Sequence, residues 1–333
     1  NAGTSFTYYF DQGNNNDFGD QRDYDINAWV GFGITHKATP RLTLGATLYA
    51  TYQTQPDFTN LSNFNNSFSF TRRNQDFFFT VNKFSAAYLW TPRFSTVSSY
   101  TFGATDYIDR NVGRFEDRFE HTFGNEFRFL IQPTTTLIAE YRFGFIDFAD
   151  TDFRDSTSHF LLAGIDHSFS PRFNISARGG VEFREYNNSD PNNVLLAGSS
   201  HNNTSPYGEA TLNYALAQNT SISFTNRYSI EVSDVPEFLD RQTYRSGLSV
   251  RHAFTSRISS GLGAYYQHDN YDGNEINNGF SEDSFEISLS ARYAISRNWA
   301  IDAGYTHTEV ISDANLFREY SRNRYYAGAT FSF

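Results

Sequence analysis

LTLGATLYATY, residues 42–52, alternates without a break. Leu42, Leu44, Ala46, Leu48, Ala50 and Tyr52 fall on one parity, and Thr43, Gly45, Thr47, Tyr49 and Thr51 on the other. Successive side chains of a β-strand point to opposite faces, so this segment reads as a strand with one apolar and one polar face. Helical spacing fits none of it. DSFEISLSARYAI (283–295) repeats the pattern, setting Phe285, Ile287, Leu289, Ala291, Tyr293 and Ile295 against Glu286, Ser288, Ser290 and Arg292. NRYYAGATFSF (323–333) does so again, with Tyr325, Ala327, Ala329, Phe331 and Phe333 on one face.

Between such segments the chain turns in two ways. KATPRLTL (37–44), WTPRFST (90–96), IQPTTTL (131–137), FSPRFNI (169–175), LAQNTSI (216–222), FTSRISS (254–260) and ISRNWAI (295–301) each end one strand and begin the next within a few residues. Pro40, Pro92, Pro133 and Pro171 suit these turns, because proline presets the turn dihedral and would interrupt a strand interior. The turns recur at roughly 40 residues, enough for two strands, a tight turn and a loop. The other connections are long and polar, such as DQGNNNDFGDQRD (11–23), residues 55–76, DYIDRNVGRFEDR (106–118), residues 187–203 and HDNYDGNEINNGFSE (268–282). Short turns alternating with long loops are the pattern of an outer-membrane barrel. The expected fold is all-β: one transmembrane, antiparallel up-and-down β-barrel over residues 1–333, of about sixteen strands. Short turns and both termini are expected in the periplasm, and long loops outside the cell.

Composition agrees. Aromatic residues make up 18% of the 333, with 35 Phe and 22 Tyr, yet only 39% are hydrophobic, and mean hydropathy is −0.55. No stretch nears the roughly 20 apolar residues of a membrane-spanning helix, and barrel strands, apolar on one face only, need none. A soluble β-sandwich would bury denser Val, Ile and Leu. Trp90, Phe94, Phe169, Phe173, Phe254 and Trp299 flank short turns, and Phe10, Phe119, Phe145, Phe183 and Tyr266 fall toward the long loops, as two aromatic girdles would. The chain has no cysteine, which excludes disulfides, thiolate metal sites and a cysteine nucleophile. A formal charge of −11 argues against a nucleic-acid partner. Asn1 is read as the start of a mature chain whose leader has been removed.

The ending YYAGATFSF resembles the C-terminal signal by which bacterial outer-membrane proteins are recognised for insertion, with Tyr325, Phe331 and Phe333 as its carriers. The repeated strand–TPRF/SPRF–strand unit resembles the "putative β-barrel porin" type-two family of Gram-negative bacteria across nearly the whole chain. That resemblance implies a channel, with polysaccharide export as a role of some members. The strand number is similar to that of the classical general porins, but their PEFGG-like third-loop motif is missing.

If the apolar parity faces lipid, the other faces a lumen. It carries Glu120, Glu126, Arg128, Glu140, Arg142, Asp166, Arg178, Glu182, Arg184, Glu209, Arg227, Glu231, Arg245, Arg251, Glu286, Arg292, Asp302, Arg322 and Arg324. Toward lipid such charges would cost up to about 2–4 kcal/mol each at the midplane, so their common phase supports the register. Ion pairs in wet surroundings add little energy, and most of these residues are read as wall salt bridges. Arg322 and Arg324 are expected to be the free, solute-facing charges. Asp109, Arg110, Arg114, Glu116, Asp117 and Arg118, in the third-loop position, are a candidate constriction. Residues 55–77, with Arg72, Arg73, Phe58, Phe64, Phe68 and Phe70, are a second loop able to fold onto the barrel.

Catalysis finds little support. His167 and Ser168 are adjacent and so point to opposite faces, and His121, His167 and His252 fall on the lipid phase. No zinc, phosphate-loop or dinucleotide motif occurs, the acidic loops lack a full calcium ligand set, and no cofactor is expected. The leading expectation is a porin-like channel passing small hydrophilic solutes by passive diffusion. The alternatives are an exopolysaccharide export conduit, in which Trp29, Tyr49, Tyr265 and Tyr326 would stack on sugars, and a plugged barrel whose loops bind partners. Expected partners are outer-membrane lipid and lipopolysaccharide, the barrel-assembly machinery, and further copies of the chain.

Overall fold

The computed structural model describes residues 1–11, 24–54, 75–187, 202–235, 237–274, 277–314 and 318–332, the side chains of residues 9–11 excepted. Sixteen strands form one closed antiparallel barrel in which every strand pairs with its sequence neighbours. They are β1 (Ala2–Asp11), β2 (Tyr24–Lys37), β3 (Leu42–Gln53), β4 (Phe77–Thr91), β5 (Phe94–Tyr107), β6 (Arg118–Gln132), β7 (Thr135–Phe148) and β8 (Ser156–Ser170). Then follow β9 (Phe173–Tyr186), β10 (Asn202–Ala217), β11 (Thr220–Val232), β12 (Asp240–Ala253), β13 (Ile258–Tyr271), β14 (Phe280–Ala294), β15 (Trp299–Ser312) and β16 (Tyr320–Phe331). β1 and β16 close the ring, from Ala2↔Phe331 to Asp11↔Arg322. The last strand ends at Phe331, and Phe333 lies outside the described residues.

The alternation read from the sequence is the alternation of the wall. Phe32, Leu48, Phe127, Leu161, Ile287, Leu289 and Tyr325 are exposed on the outer surface, and Glu120, Glu182, Glu231 and Glu286, of the other parity, are buried within. Trp90, Phe169, Phe254 and Trp299 stand exposed outside beside the short turns. Such a surface is stable only against lipid, since a water-exposed apolar belt this continuous would drive aggregation.

Five of the seven short turns share a device. The hydroxyl of Thr39 accepts from the backbone N–H groups of Arg41 and Leu42 (3.2 and 3.0 Å). Thr91 does the same for Arg93 and Phe94, Ser170 for Arg172 and Phe173, Thr255 for Arg257 and Ile258, and Ser296 for Asn298 and Trp299. Each turn thereby satisfies donors that the strand ladder cannot reach.

Two features break the regular cylinder. Arg110–Glu116, between β5 and β6, forms a short helix, α1, capped by Asp109, whose side chain accepts from Asn111 N. No helix was expected there. The second break lies between β10 and β11, whose ladder begins at the turn and stops at Gly208↔Tyr228. Above it β10 pairs with β9 alone, up to Asn202↔Glu185, and β11 with β12 alone, up to Val232↔Asp240. Pro206 lies on that unpaired stretch of β10; it has no N–H to donate and is tolerated in strands chiefly at free edges. Ile230 and Val232 belong to the outward parity of β11 but are 2% and 3% exposed. The tip of the β11–β12 hairpin therefore leans into the lumen and packs its outer face on β9. Arg184 of β9 donates to the Ile230 carbonyl (3.2 Å), and the Tyr186 hydroxyl of β9 bonds the Asp240 carboxylate of β12.

Candidate functional site

The inward face of the barrel defines the site, and it changes along the axis. On β14, Glu282 and Glu286 near the loop end are 1% and 6% exposed, whereas the Arg292 side chain near the turn end is 45% exposed. On β12 Arg241 and Thr243 are buried, and Arg251 at the turn end is exposed. The lumen is thus an open vestibule at the turn end that narrows toward the loops into packed side chains, charged groups beside the apolar clusters of Phe77, Phe79, Val81 and Tyr107 and of Val235, Phe238, Tyr271 and Phe280.

The packing comes from loops reaching into the barrel. Arg154, on the 3-10 turn Asp152–Arg154 between β7 and β8, is 2% exposed. It donates to the carbonyl of Phe115 on α1 (2.5 Å) and to the carbonyl of Ser233 beyond β11, and lies 3.6 Å from the Glu116 carboxylate. Its guanidinium also sits 4.5 Å over the Phe148 ring. Arg318, before β16, bonds Asp234 (2.9 Å) and Glu282. Arg241 reaches Asp234 and Glu231, each at 3.4 Å, and the Tyr271 hydroxyl donates to Asp234 (2.6 Å). Four loops, those after β5, β7, β11 and β15, are tied to one another and to the wall through these groups. Arg154, Glu116, Arg241, Asp234, Glu231 and Glu282 each keep at least one opposite partner, as burial in a low-dielectric interior requires.

The candidate constriction of the third loop is divided by the structure. Glu116, Asp117 and Arg118 are buried, and Arg118 is the first wall residue of β6, bonded to Glu120 (2.8 Å). Arg110 and Arg114 are exposed. Val112 packs instead on an apolar cluster inside the barrel, Phe77, Phe79, Val81 and Tyr107. Burial pushes the Asp117 carboxyl above its ordinary range, and the Asp106 carboxylate adds to this, while the Tyr107 N–H and Arg110 pull it down. Asp155, in the equivalent place of the next loop, accepts from Phe148 N (2.8 Å) and is likewise pushed up by burial. The narrowing element that the sequence did not point to is the β11–β12 tip, where VSDVPEF had read as an ordinary loop. Residues 55–74, with Arg72, Arg73 and the four phenylalanines of that loop, lie outside the described residues.

Below these loops an ion-pair lattice covers β6–β10. Arg142 of β7 bonds Glu140, Glu209 of β10 (2.9 Å) and the Tyr207 hydroxyl (2.9 Å). Arg128 bonds Asp166 and lies 3.4 Å from Glu126. Arg178 bonds Asp166 (3.0 Å) and lies 3.7 Å from Glu140. Glu182 accepts from Ser158 and Arg184, and Arg227 and Arg245 flank Glu231 at 3.6 and 3.3 Å. Arg292 and Asp302 form a separate pair at 3.2 Å. Arg322 and Arg324 are not the free charges expected of them. Arg324 is buried and donates to Thr306 (3.5 Å), and Arg322 lies over the Tyr320 ring at 5.5 Å. Arg251 has the exposure that they were expected to have. Tyr325 stands exposed on the outer face, and Phe331 packs on Trp299.

The family described as "Putative beta-barrel porin 2" matches residues 2–333. No curated protein sequence matches the chain. Among solved structures, OccAB3 of Acinetobacter baumannii is similar at 12% identity and a TM-score of 0.48, over 100% of this chain and 98% of that one. OccAB4 of the same organism is similar at 11% identity and 0.44, over 99% and 98%. The ferric yersiniabactin uptake receptor FyuA of Yersinia pestis is similar at 11% and 0.43, over 97% of this chain and 59% of the receptor.

Proposed function

The chain belongs to the putative beta-barrel porin 2 family, an outer-membrane barrel family, and from that membership we propose that it is a narrow, porin-like channel passing small hydrophilic solutes by passive diffusion. The observation that carries this reading is the axial gradient of the lumen, from exposed Arg251 and Arg292 at the turn end to buried Glu282, Arg241 and Glu231 at the loop end. A solute enters a hydrated vestibule, passes the ion-pair lattice and meets a constriction made by the β11–β12 tip, where Asp234 lies beside the apolar side chains of Val235 and Phe238.

The proposed orientation sets the short turns and both termini in the periplasm. The mouth narrowed by Arg154, Asp234 and Arg318 then faces the outside, where a channel gains most from excluding large molecules. The lattice is nearly balanced in charge, as Arg128, Arg142 and Arg178 face Glu126, Glu140, Asp166 and Glu209. Weak ion selectivity follows.

Swelling of vesicles that contain the refolded protein tests the reading. Arabinose and small amino acids should enter quickly, and sugars of three or more rings slowly. Swelling no faster than in protein-free vesicles, from protein shown to be folded, would overturn the proposal.

A further inference from the structure

Lys83, in the middle of β4, shares the lumen-facing parity of Phe79 and Val81 and is half-buried. Among the described residues it forms no ion pair and no hydrogen bond. The charges that act on it are Glu126 first, then Arg142, Glu140 and Glu209, on β6, β7 and β10. Two rows of the wall span the gap between them. One runs Lys83↔Thr101↔Thr122, and the next runs Ser85↔Ser99↔Gly124↔Arg142. Small residues therefore floor a bay between the β4 ammonium and the charges of β6 and β7. A Cβ on Gly124 would meet the Ser99 hydroxyl at 2.9 Å and Glu140 Oε1 at 3.9 Å, so glycine keeps the bay clear.

The far side of the bay holds a loosely bound acceptor. Glu140, Glu209 and Asp166 each accept a hydrogen bond from an arginine. Glu126 accepts none among the described residues, and its carboxylate lies 3.4 Å from Arg128 and 4.0 Å from Arg178. Charge decides what fits between Lys83 and Glu126. Arg128, Arg142 and Arg178 oppose Glu126, Glu140, Asp166 and Glu209, so this part of the lattice is one positive charge short. Lys83 supplies that charge from a distance. A plain anion in the bay would tip the balance one way and a plain cation the other, each costly where water is partly excluded. A solute carrying both charges leaves it neutral.

We propose that this bay binds small zwitterions, with the carboxylate on Lys83 and the ammonium on Glu126. Both contacts are charge-assisted hydrogen bonds, stronger than those between neutral groups. The hydroxyls of Ser99, Thr101 and Thr122 on the floor face the remaining polar atoms of the solute. A lysine that only balanced the lattice would need neither a cleared floor nor an unbonded carboxylate beyond it. The inference rests on the channel reading and names a solute class for it.

The test uses the full folded chain and a ruler of zwitterions: glycine, β-alanine, γ-aminobutyrate and δ-aminovalerate. Saturation-transfer NMR in detergent micelles reads binding, and ion current in a planar bilayer reads block. Both should saturate, most tightly at one chain length, and butyrate or butylammonium should bind about tenfold more weakly. Lys83→Met and Glu126→Gln should each weaken zwitterion binding by about tenfold, and Lys83→Arg should keep it. Lys83→Met combined with Glu126→Gln removes one charge of each sign, so the unfolding temperature should stay near the parent's while binding is lost. Binding in micelles without any current supports the bay and sinks the channel reading. A steady current with no zwitterion response in either readout overturns the bay and leaves the channel reading standing. Variants that shift ion selectivity but leave zwitterion affinity unchanged assign Lys83 to charge balance alone and overturn the proposal.

Discussion

The β10–β11 ladder ends at Gly208↔Tyr228, two steps before its register would set Pro206 of β10 opposite Ile230 of β11. The missing donor of the proline and the inward lean of the hairpin belong together. An edge freed at Pro206 lets the β11–β12 tip leave the wall, and Arg184, Tyr186 and Asp240 hold it where it lands. The width of the mouth is thereby set by a few side-chain contacts on a scaffold that is otherwise closed.

Arg154 is the pin between the loops. Arg154→Ala removes its bonds to Phe115 and Ser233 and leaves Glu116 buried without that partner, a loss on the order of 3–5 kcal/mol for an ion so placed. The barrel ladders do not depend on it, so the loss should appear as a loosened cap. Single-channel steps should become larger and noisier, and residues 233–239 should become accessible to protease in folded protein.

The wall lattice should govern selectivity. Arg142→Gln withdraws one positive charge from Glu140 and Glu209. The reversal potential in a potassium chloride gradient should move toward cation preference, and thermal stability should fall by about 3 kcal/mol, because both carboxylates are largely buried. Arg251→Gln, at an exposed site, should move the potential in the same direction with little change in stability.

Acid should seat two loops more firmly. The carboxyls of Asp117 and Asp155 are raised by burial above the ordinary 3.8. A raised folded-state value means stability fully present below the unfolded value and lost as pH rises through the folded one. Lowering the pH through the interval just above 3.8 should therefore tighten the loops after β5 and β7 and reduce conductance. Near Asp117 the competing groups are Asp106 and Arg110, and near Asp155 they are Asp147 and Asp152. Asp117→Asn with Asp155→Asn should flatten this part of the pH profile.

The register gives a paired control. Leu289→Arg places a charge on the exposed outer face, at a cost of about 2–4 kcal/mol if that level is the bilayer midplane. Ser290→Arg, one residue on and facing the lumen, should cost little. Denaturant unfolding in lipid vesicles separates the two, and equal losses would contradict the assigned faces.

The closed cylinder was legible because a barrel strand writes its two faces into alternate residues, as Leu42 to Tyr52 do, and because short turns repeat one chemistry. The hydroxyls of Thr39, Thr91 and Ser170 were visible in TPR and SPR, though their double acceptance from the backbone was not. The inward phase of Arg142 or Glu182 followed from parity. Their partners did not, because contacts such as Arg142 to Glu209 link residues far apart in sequence and depend on strand stagger. The inward lean of the β11–β12 tip was missed for the same reason. Ile230 and Val232 look like lipid-facing residues, and only Pro206 on the neighbouring strand signals that the ladder parts there. Arg322 and Arg324 were misjudged because Thr306 stands on the neighbouring strand, and because counting charges alone passed over the Tyr320 ring two residues before Arg322.

Single-channel conductance of the wild-type protein beside a variant whose residues 233–239 are replaced by a turn of about two residues, joining Val232 to Asp240, tests the central claim most directly. If the hairpin tip forms the constriction of an aqueous channel, the wild type conducts in small, steady steps and the shortened protein in steps several-fold larger. Equal conductance in the two, or none in either from folded and inserted protein, would contradict it.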